Sequence, residues 1–204
     1  MIARHVWTIA LTTTAAAAAS VTTGAWYIGL FTSDGRFTGR DACTLLPPPA
    51  RLAPLVAAGA REPIDSRPKT VIGLGGDARS ECKWSSVPEG QDHPFRTVRI
   101  HFEAVTRTGR VSAESRAKTE FQNWRAKGSS PTRPVDIGDG GYTRTDVMTV
   151  KVLWSKTDIY DVHAKFRISN ALVDVSARTH TEPGADKLAL VVALARDIAA
   201  ELDR

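Results

Sequence analysis

The sequence is poor in cysteine, in charge of one sign and in recognisable catalytic signatures. Two cysteines in 204 residues cannot build a multi-bridge framework of the knottin kind, nor a zinc site of four thiolates. No run of five like charges occurs, no basic stripe is interleaved with aromatics, and the formal net charge is only +5. Nucleic-acid recognition rests on clustered positive surface, so no nucleic-acid partner is expected. There is no G-x-S-x-G elbow, no H-x-H or H-E-x-x-H pair and no EF-hand register of acids. Those patterns carry nucleophilic serine, zinc and calcium chemistry, and neither a cofactor nor a metal is expected here.

An ordinary globular composition is present, with 42% apolar and 24% charged residues. That excludes a chain disordered throughout and fits one domain plus an extension. The extension is at the amino terminus, where Val6 to Phe31 hold no charged side chain. As a helix these residues would span about 39 Å at ~1.5 Å each, enough for a ~30 Å hydrocarbon core. Trp7 stands at one end and Trp26 and Tyr27 at the other, and Arg4 precedes the run. Amphipathic rings favour headgroup zones, and the positive-inside rule places the short head in the cytoplasm and Thr32 onwards outside. The expected organisation is a transmembrane anchor over 1–31, a tether over 32–40 and an extracytoplasmic domain over 41–204, at the cell membrane in a single pass. The alternative is a cleaved signal peptide and a secreted protein, since Ala17 and Ala19, or Thr23 and Ala25, offer A-x-A-like sites.

Outside the cell, Cys43 and Cys82 suggest a pair closing a loop of about 40 residues, a link the chain-entropy model values at roughly 4 kcal/mol. Two buried free thiols are the other reading. No histidine lies in a recognisable cysteine-hydrolase signature, so the cysteines are read as structural.

Along the domain, Ala50 to Ala58 reads as a short helix stopped by Gly59, with Pro54 uncomfortably far inside. Arg61 to Asp77 is rich in Pro and Gly and reads as loop, and its Gly73-Leu-Gly75-Gly76 lacks the helix a nucleotide loop needs. Strands are expected over 80–86 and 96–105, the second alternating Val98, Ile100, Phe102 and Ala104 with Arg99, His101 and Glu103. Ser112 offers a cap for a helix to Lys127 with Ala117, Phe121 and Trp124 in one stripe, and Glu114 and Lys118 spaced to pair. Gly128 to Gly141 reads as a second loop. Three strands follow over 149–155, 159–168 and 171–179, the first placing Trp154 on a face with Val150 and Val152. The Ser169-Asn170 connection is a tight turn in which Asn tolerates the left-handed conformation. Ala185 to Leu202 closes the chain as a helix with Leu188, Val192, Ala195, Ile198, Ala199 and Leu202 facing a core. The fold class expected is α+β, an antiparallel sheet with helices packed on one face.

The order of motifs resembles a family of actinobacterial envelope proteins, often lipoproteins. That family opens with an Asp-Pro-Cys-x-Leu-Leu motif, continues through Cys-x-Trp and a Gly-Leu-Gly-Asp-Glu-Ala loop, and ends with a Gly-Asn hairpin and a helix. The counterparts are Asp41-Ala42-Cys43-Thr44-Leu45-Leu46, Cys82-Lys83-Trp84, Ile137 to Tyr142, Ser169-Asn170 and the helix ending at Leu202. The resemblance implies an extracytoplasmic α+β domain akin to sensor domains, a Cys43–Cys82 disulfide and no established catalytic residues. Ala42 stands in place of the family's Pro, Gly140-Gly141 in place of its Glu-Ala, and no lipobox cysteine precedes the domain.

Three groups are candidates for function. His101, His163 and His180, with Glu103, Asp161 and Asp174, fall on polar strand phases and could share a sheet face. Asp136 and Asp139 flank a glycine-rich loop, where turn chemistry is the simpler reading. Trp84, Trp124 and Trp154 could line a ligand pocket between helix and sheet, or simply fill the core. The expected function is non-enzymatic binding of an envelope protein or a small ligand. The alternatives are an extracellular hydrolase with its site in the 136–142 loop, and a purely structural envelope protein.

Overall fold

A computed structural model describes residues 35–56, 58–69, 76–86, 95–128 and 130–204. The anchor expected over 1–31, and residues 73–75 of the glycine-rich loop, lie outside the described residues. Among the described residues no helix is long and apolar enough to cross a membrane.

The domain is α+β. A seven-stranded sheet comprises β1 (Ala60–Lys69), β2 (Ala78–Ser85), β3 (Thr97–Ala104), β4 (Arg133–Val135), β5 (Gly140–Val152), β6 (Ser155–Ile168) and β7 (Ala171–Thr179). The spatial order is β1-β2-β3-β7-β6-β5-β4, with every neighbouring pair antiparallel. Three helices accompany it: α1 (Pro49–Leu52), α2 (Ala113–Lys127) and α3 (Ala185–Leu202).

Period-2 alternation gives the sheet two chemically different faces. On one lie Val98, Ile100 and Phe102, Val162, Ala164 and Phe166, and Val173, Val175 and Ala177, all essentially buried. Helix α3 covers this face with Val191, Leu194, Ala195, Ile198 and Leu202. Its stripe is shifted slightly from the expected one, with Val191 and Leu194 buried and Leu188 only partly so. Helix α2 does not join it. Ala117 and Phe121 pack with Val105, Leu172 and Tyr142 as a separate small cluster on the opposite face. The expected single helical layer is therefore corrected to a sheet covered on both sides. Leu172 carries the reason: on β7 it lies on the phase opposite Val173 and offers α2 an apolar foothold among charged neighbours.

Two expected loops contain strands. β1 begins at Ala60 and takes up 61–69 of the first; Pro63 and Pro68 suggest loop, but prolines are tolerated on an edge strand, and the pairing with β2 shifts register at Pro63/Asp65 and Asp65/Lys69. β4 lies within 128–141, where Val135 pairs Gly141. Strand β5 is also longer than expected, so Trp154 belongs to the two-residue turn between Val152 and Ser155 rather than to a strand face. The helix expected over 50–58 shrinks to four residues, because Pro54 removes a donor the next turn would need.

Cys43 and Cys82 are disulfide-bonded, with Cα atoms 5.0 Å apart. The bond holds the 3-10 turn Ala42–Thr44 against β2, where Ala42 N donates to Ser80 Oγ and Asp41 Oδ1 accepts from Cys43 N. Leu45 and Leu46 follow into the core. Nearby, Gly59 leaves room for Trp84, since a Cβ there would fall 2.2 Å from the indole nitrogen.

Asn170 is fully buried and does more than turn the chain. Its Nδ2 donates to Phe37 O at 2.7 Å and Val105 O at 2.8 Å, and its Oδ1 accepts from Phe37 N at 2.9 Å. The left-handed conformation falls on Ser169 instead, at φ 51°. Gly35 closes over the amide, where a Cβ would lie 2.1 Å from Asn170 Cγ. One side chain thus ties the tether, the end of β3 and the β6–β7 turn.

Two outcomes are expected in urea denaturation. The Cys43→Ala/Cys82→Ala double variant loses about 4 kcal/mol, as the loop-entropy relation gives. Asn170→Ala loses about 3 kcal/mol, because it strands the buried Val105 carbonyl and the partly buried Phe37 backbone groups. Losses under 1 kcal/mol would show that neither tie matters.

Candidate functional site

The polar face of the sheet is a lattice of opposite charges. Lys83 meets Glu62 at 2.8 Å, Arg178 meets Asp161 at 2.7 Å, and Arg79 pairs with Glu103. Arg99 reaches Glu81 at 3.5 Å and donates to Ser176 Oγ. Cross-strand neighbours are close enough that an unbalanced row would repel, so alternating signs keep this face compact. Where α2 crosses it, Arg144 lies over the Trp124 ring at 4.2 Å, Lys165 approaches at 5.3 Å and His163 meets the ring edge-on. At the other end of the helix, Arg116 clamps Asp77 at 2.8 Å and bonds Glu120. The spacing of Glu114 and Lys118 is not used for a pair; Glu114 accepts from Ser169 Oγ.

Neighbouring strands bring several of the candidate acids and histidines onto this face. His163 is buried, with Nδ1 3.1 Å from Asp174 Oδ1 and Nε2 3.7 Å from Asp146 Oδ2. Burial disfavours the imidazolium, yet the Asp174 charge and hydrogen bond, with Asp146 and Asp161 beyond, hold the pKa above its ordinary value. Asp174 shows the converse: burial pushes its carboxyl up, and His163, Lys165 and Arg99 together pull it down further than that. Both ring nitrogens face carboxylates, so this group is an ion-paired strut rather than a base awaiting a nucleophile. His101 sits apart, 3.6 Å from Glu81, and His180 is exposed beyond the end of β7. Among the described residues no group of three or more His, Cys, Asp or Glu is placed to hold a metal.

Asp139 supports a turn: its Oδ2 accepts from Ser169 N at 2.7 Å and faces Arg167 at 3.1 Å, while Asp136 is exposed. The three tryptophans are not brought together. Trp84 is buried on β2 and donates to Val56 O, Trp124 lies over the charged face, and Trp154 is 97% exposed at the β5–β6 turn. None of them lines a described groove.

A groove of about 570 Å³ lies elsewhere, between α3 and the β4–β5 edge. Leu188, Ala189, Val192 and Arg196 form the helix wall. Thr143, Thr145, Val147 and Tyr160 form the sheet wall, and Pro131 and Arg133 close one end. The groove exists because α3 lies over β6 and β7 and stops short of β5. Beside it, β4 pairs only Gly141 to Thr143, so from Arg144 to Val152 the outer edge of β5 has no strand partner among the described residues. Sequence reasoning missed this site. The alternation of 143, 145 and 147 was the available signal, but which strand lies at an edge is a property of the assembled sheet.

No protein-family model, curated protein or solved structure matches this chain.

The His163–Asp174 pair makes stability pH-dependent in a defined sense. The raised pKa of His163 gives stability that is complete below the ordinary histidine value of 6.5 and fades as pH rises through the folded value. The lowered pKa of Asp174 gives stability present above its ordinary 3.8 and lost as pH falls through the folded value. Urea unfolding should therefore show a plateau between those limits and a decline on the alkaline side. His163→Gln should remove that decline and lower the plateau by about 3 kcal/mol, the scale for stranding one partner of a buried ion pair. An unchanged alkaline limb in His163→Gln would sink this account.

Proposed function

We propose that the chain is a membrane-anchored extracytoplasmic binding domain without catalytic activity, which takes a partner protein at the groove between α3 and the β4–β5 edge. The observation that carries this is the juxtaposition of a 570 Å³ groove with an unpaired strand edge. An open edge offers a row of backbone donors and acceptors, and an adjoining groove offers side-chain pockets; together they suit an extended segment that adds as a strand. A small ligand in the same groove is the second occupant it could take.

Location at the envelope rests on the uncharged run from Val6 to Phe31 and on the disulfide, which persists in oxidising compartments. The motif order shared with actinobacterial envelope proteins supports the same placement. The polar sheet face is internally neutralised by its ion pairs, which favours the α3 side as the recognition surface.

The test is site-specific photocrosslinking of the full-length protein in the cells that produce it. A benzophenone side chain in place of Tyr160 should yield one discrete adduct. Ala189→Trp, which fills the groove from the exposed side of α3, should reduce that adduct at least tenfold while a Lys118→Trp control does not. An adduct insensitive to Ala189→Trp would rule out the groove as the site.

A further inference from the structure

Strand β6 pairs with β7 only from Tyr160 onward, whereas it pairs with β5 from Ser155. Residues 148–159 therefore project from the sheet as a two-stranded arm. Three of the exposed large apolar side chains belong to it, Met148, Leu153 and Trp154, and a fourth, Val147, stands at its root. A two-stranded ribbon alone in water is marginal, and an apolar, unpaired edge invites another strand. The edges of this sheet are not treated alike. β1 carries Pro63, Pro68 and register shifts, and β4 carries Pro134, all devices that discourage pairing. The stretch Thr145 to Val152 has neither Pro nor Gly and is rich in β-branched residues, with Lys151 its lone basic residue.

We propose that the strand received at this edge is the same stretch of a second copy, paired antiparallel about a two-fold axis at Met148 to form one continuous sheet. This rests on the edge being a recognition surface, as above, and names its partner. Three features favour a second copy. First, the open edge runs from 144 to 152, so pairing about Met148 uses all of it in both copies. Second, in that register Arg144 faces Val152, Thr145 faces Lys151, Asp146 faces Val150 and Val147 faces Thr149, so no like charges meet and the residue meeting itself is apolar. A centre at Asp146 would instead oppose two carboxylates. Third, the pairing brings the Leu153-Trp154 tip of each copy to Arg133, where β4 begins beside Thr143, at the Pro131–Arg133 end of the other copy's groove. The open edge, the exposed indole and the groove end then have one explanation. Each copy contributes a residue to the other's site.

Cysteine crosslinking of the full-length chain tests this, since Cys43 and Cys82 are already joined. Directly opposed strand residues have Cα atoms about 4.5–5.5 Å apart, within disulfide reach. Under mild oxidation Met148→Cys should give a disulfide-linked dimer. Thr145→Cys and Lys151→Cys should each stay monomeric alone, yet link to one another when the two variants are mixed. Sedimentation should show a dimer for the unmodified chain and a monomer for Val147→Pro. A monomer in sedimentation with no Met148→Cys link overturns the dimer. A benzophenone at Val147 then separates the two ideas: an adduct with a different protein leaves the binding domain standing and removes the second copy. No adduct and no dimer removes both.

Discussion

Charged and polar side chains on alternate positions of three central strands, broken by Leu172, force the rest of this architecture. Once β3, β7 and β6 lie side by side, alternation stacks Arg99, His101 and Glu103 beside Asp174 and Ser176, and these beside Asp161, His163 and Lys165. Such a face is tolerable only if signs alternate across strands and the most buried members find partners, because an uncompensated buried charge destabilises by several kcal/mol. The pairing of His163 with Asp174, beneath Trp124, meets that condition at the deepest point. Helix α2 can then settle on the charged face, held by Arg116 at Asp77 and by Leu172 and Phe121 between. The opposite face is free to be wholly apolar and to take α3.

The elements with strong periodicity were legible in the sequence: β3, β6, β7, α2 and α3, and the cysteine pair. Each buries a regular stripe, and burial follows pattern with little help from context. What was not legible depends on position in the sheet. Proline in 61–69 reads as loop unless the strand is known to be an edge, and 133–135 is too short to show any period. The side on which α2 packs turned on Leu172, one apolar residue on a polar phase, which is invisible until β7 has neighbours. Trp154 read as a strand-face residue because Val150 and Val152 alternate with it. The chain reverses at Leu153, which takes φ 53° without being glycine, so no turn residue announced the hairpin.

Asn170 shows the same limit at higher resolution. A Ser-Asn dipeptide between two strands announces a turn, and the turn is there. Which residue takes the left-handed conformation, and which turns inward to bind the tether, depends on what lies beside the hairpin. Phe37 and Val105 supply exactly the two kinds of backbone group, donor and acceptor, that a carboxamide can satisfy together. An aspartate in that place would have no donor for the two carbonyls.

Tether and arm occupy opposite ends of β6, and this bears on how a paired assembly would sit at a membrane. Gly35 and Phe37 lie against Asn170, while Leu153 and Trp154 lie beyond Ser155 at the far end of the strand. Two copies joined about an axis through Met148 run antiparallel, so their Asn170 ends point apart. Met148 is level with Ile159, nine residues before Ile168, which places the two tethers about 60 Å apart at ~3.4 Å per residue. Were both copies anchored through their amino-terminal segments as proposed, tethers of that length and separation would reach a common bilayer with the two-fold axis along the membrane normal and the joined sheet lying flat. The arms then meet at the centre of the assembly, and each groove lies along the sheet rather than at its outer tip. A partner or ligand would approach across the membrane plane, guided by a platform two domains wide instead of a single stalked head.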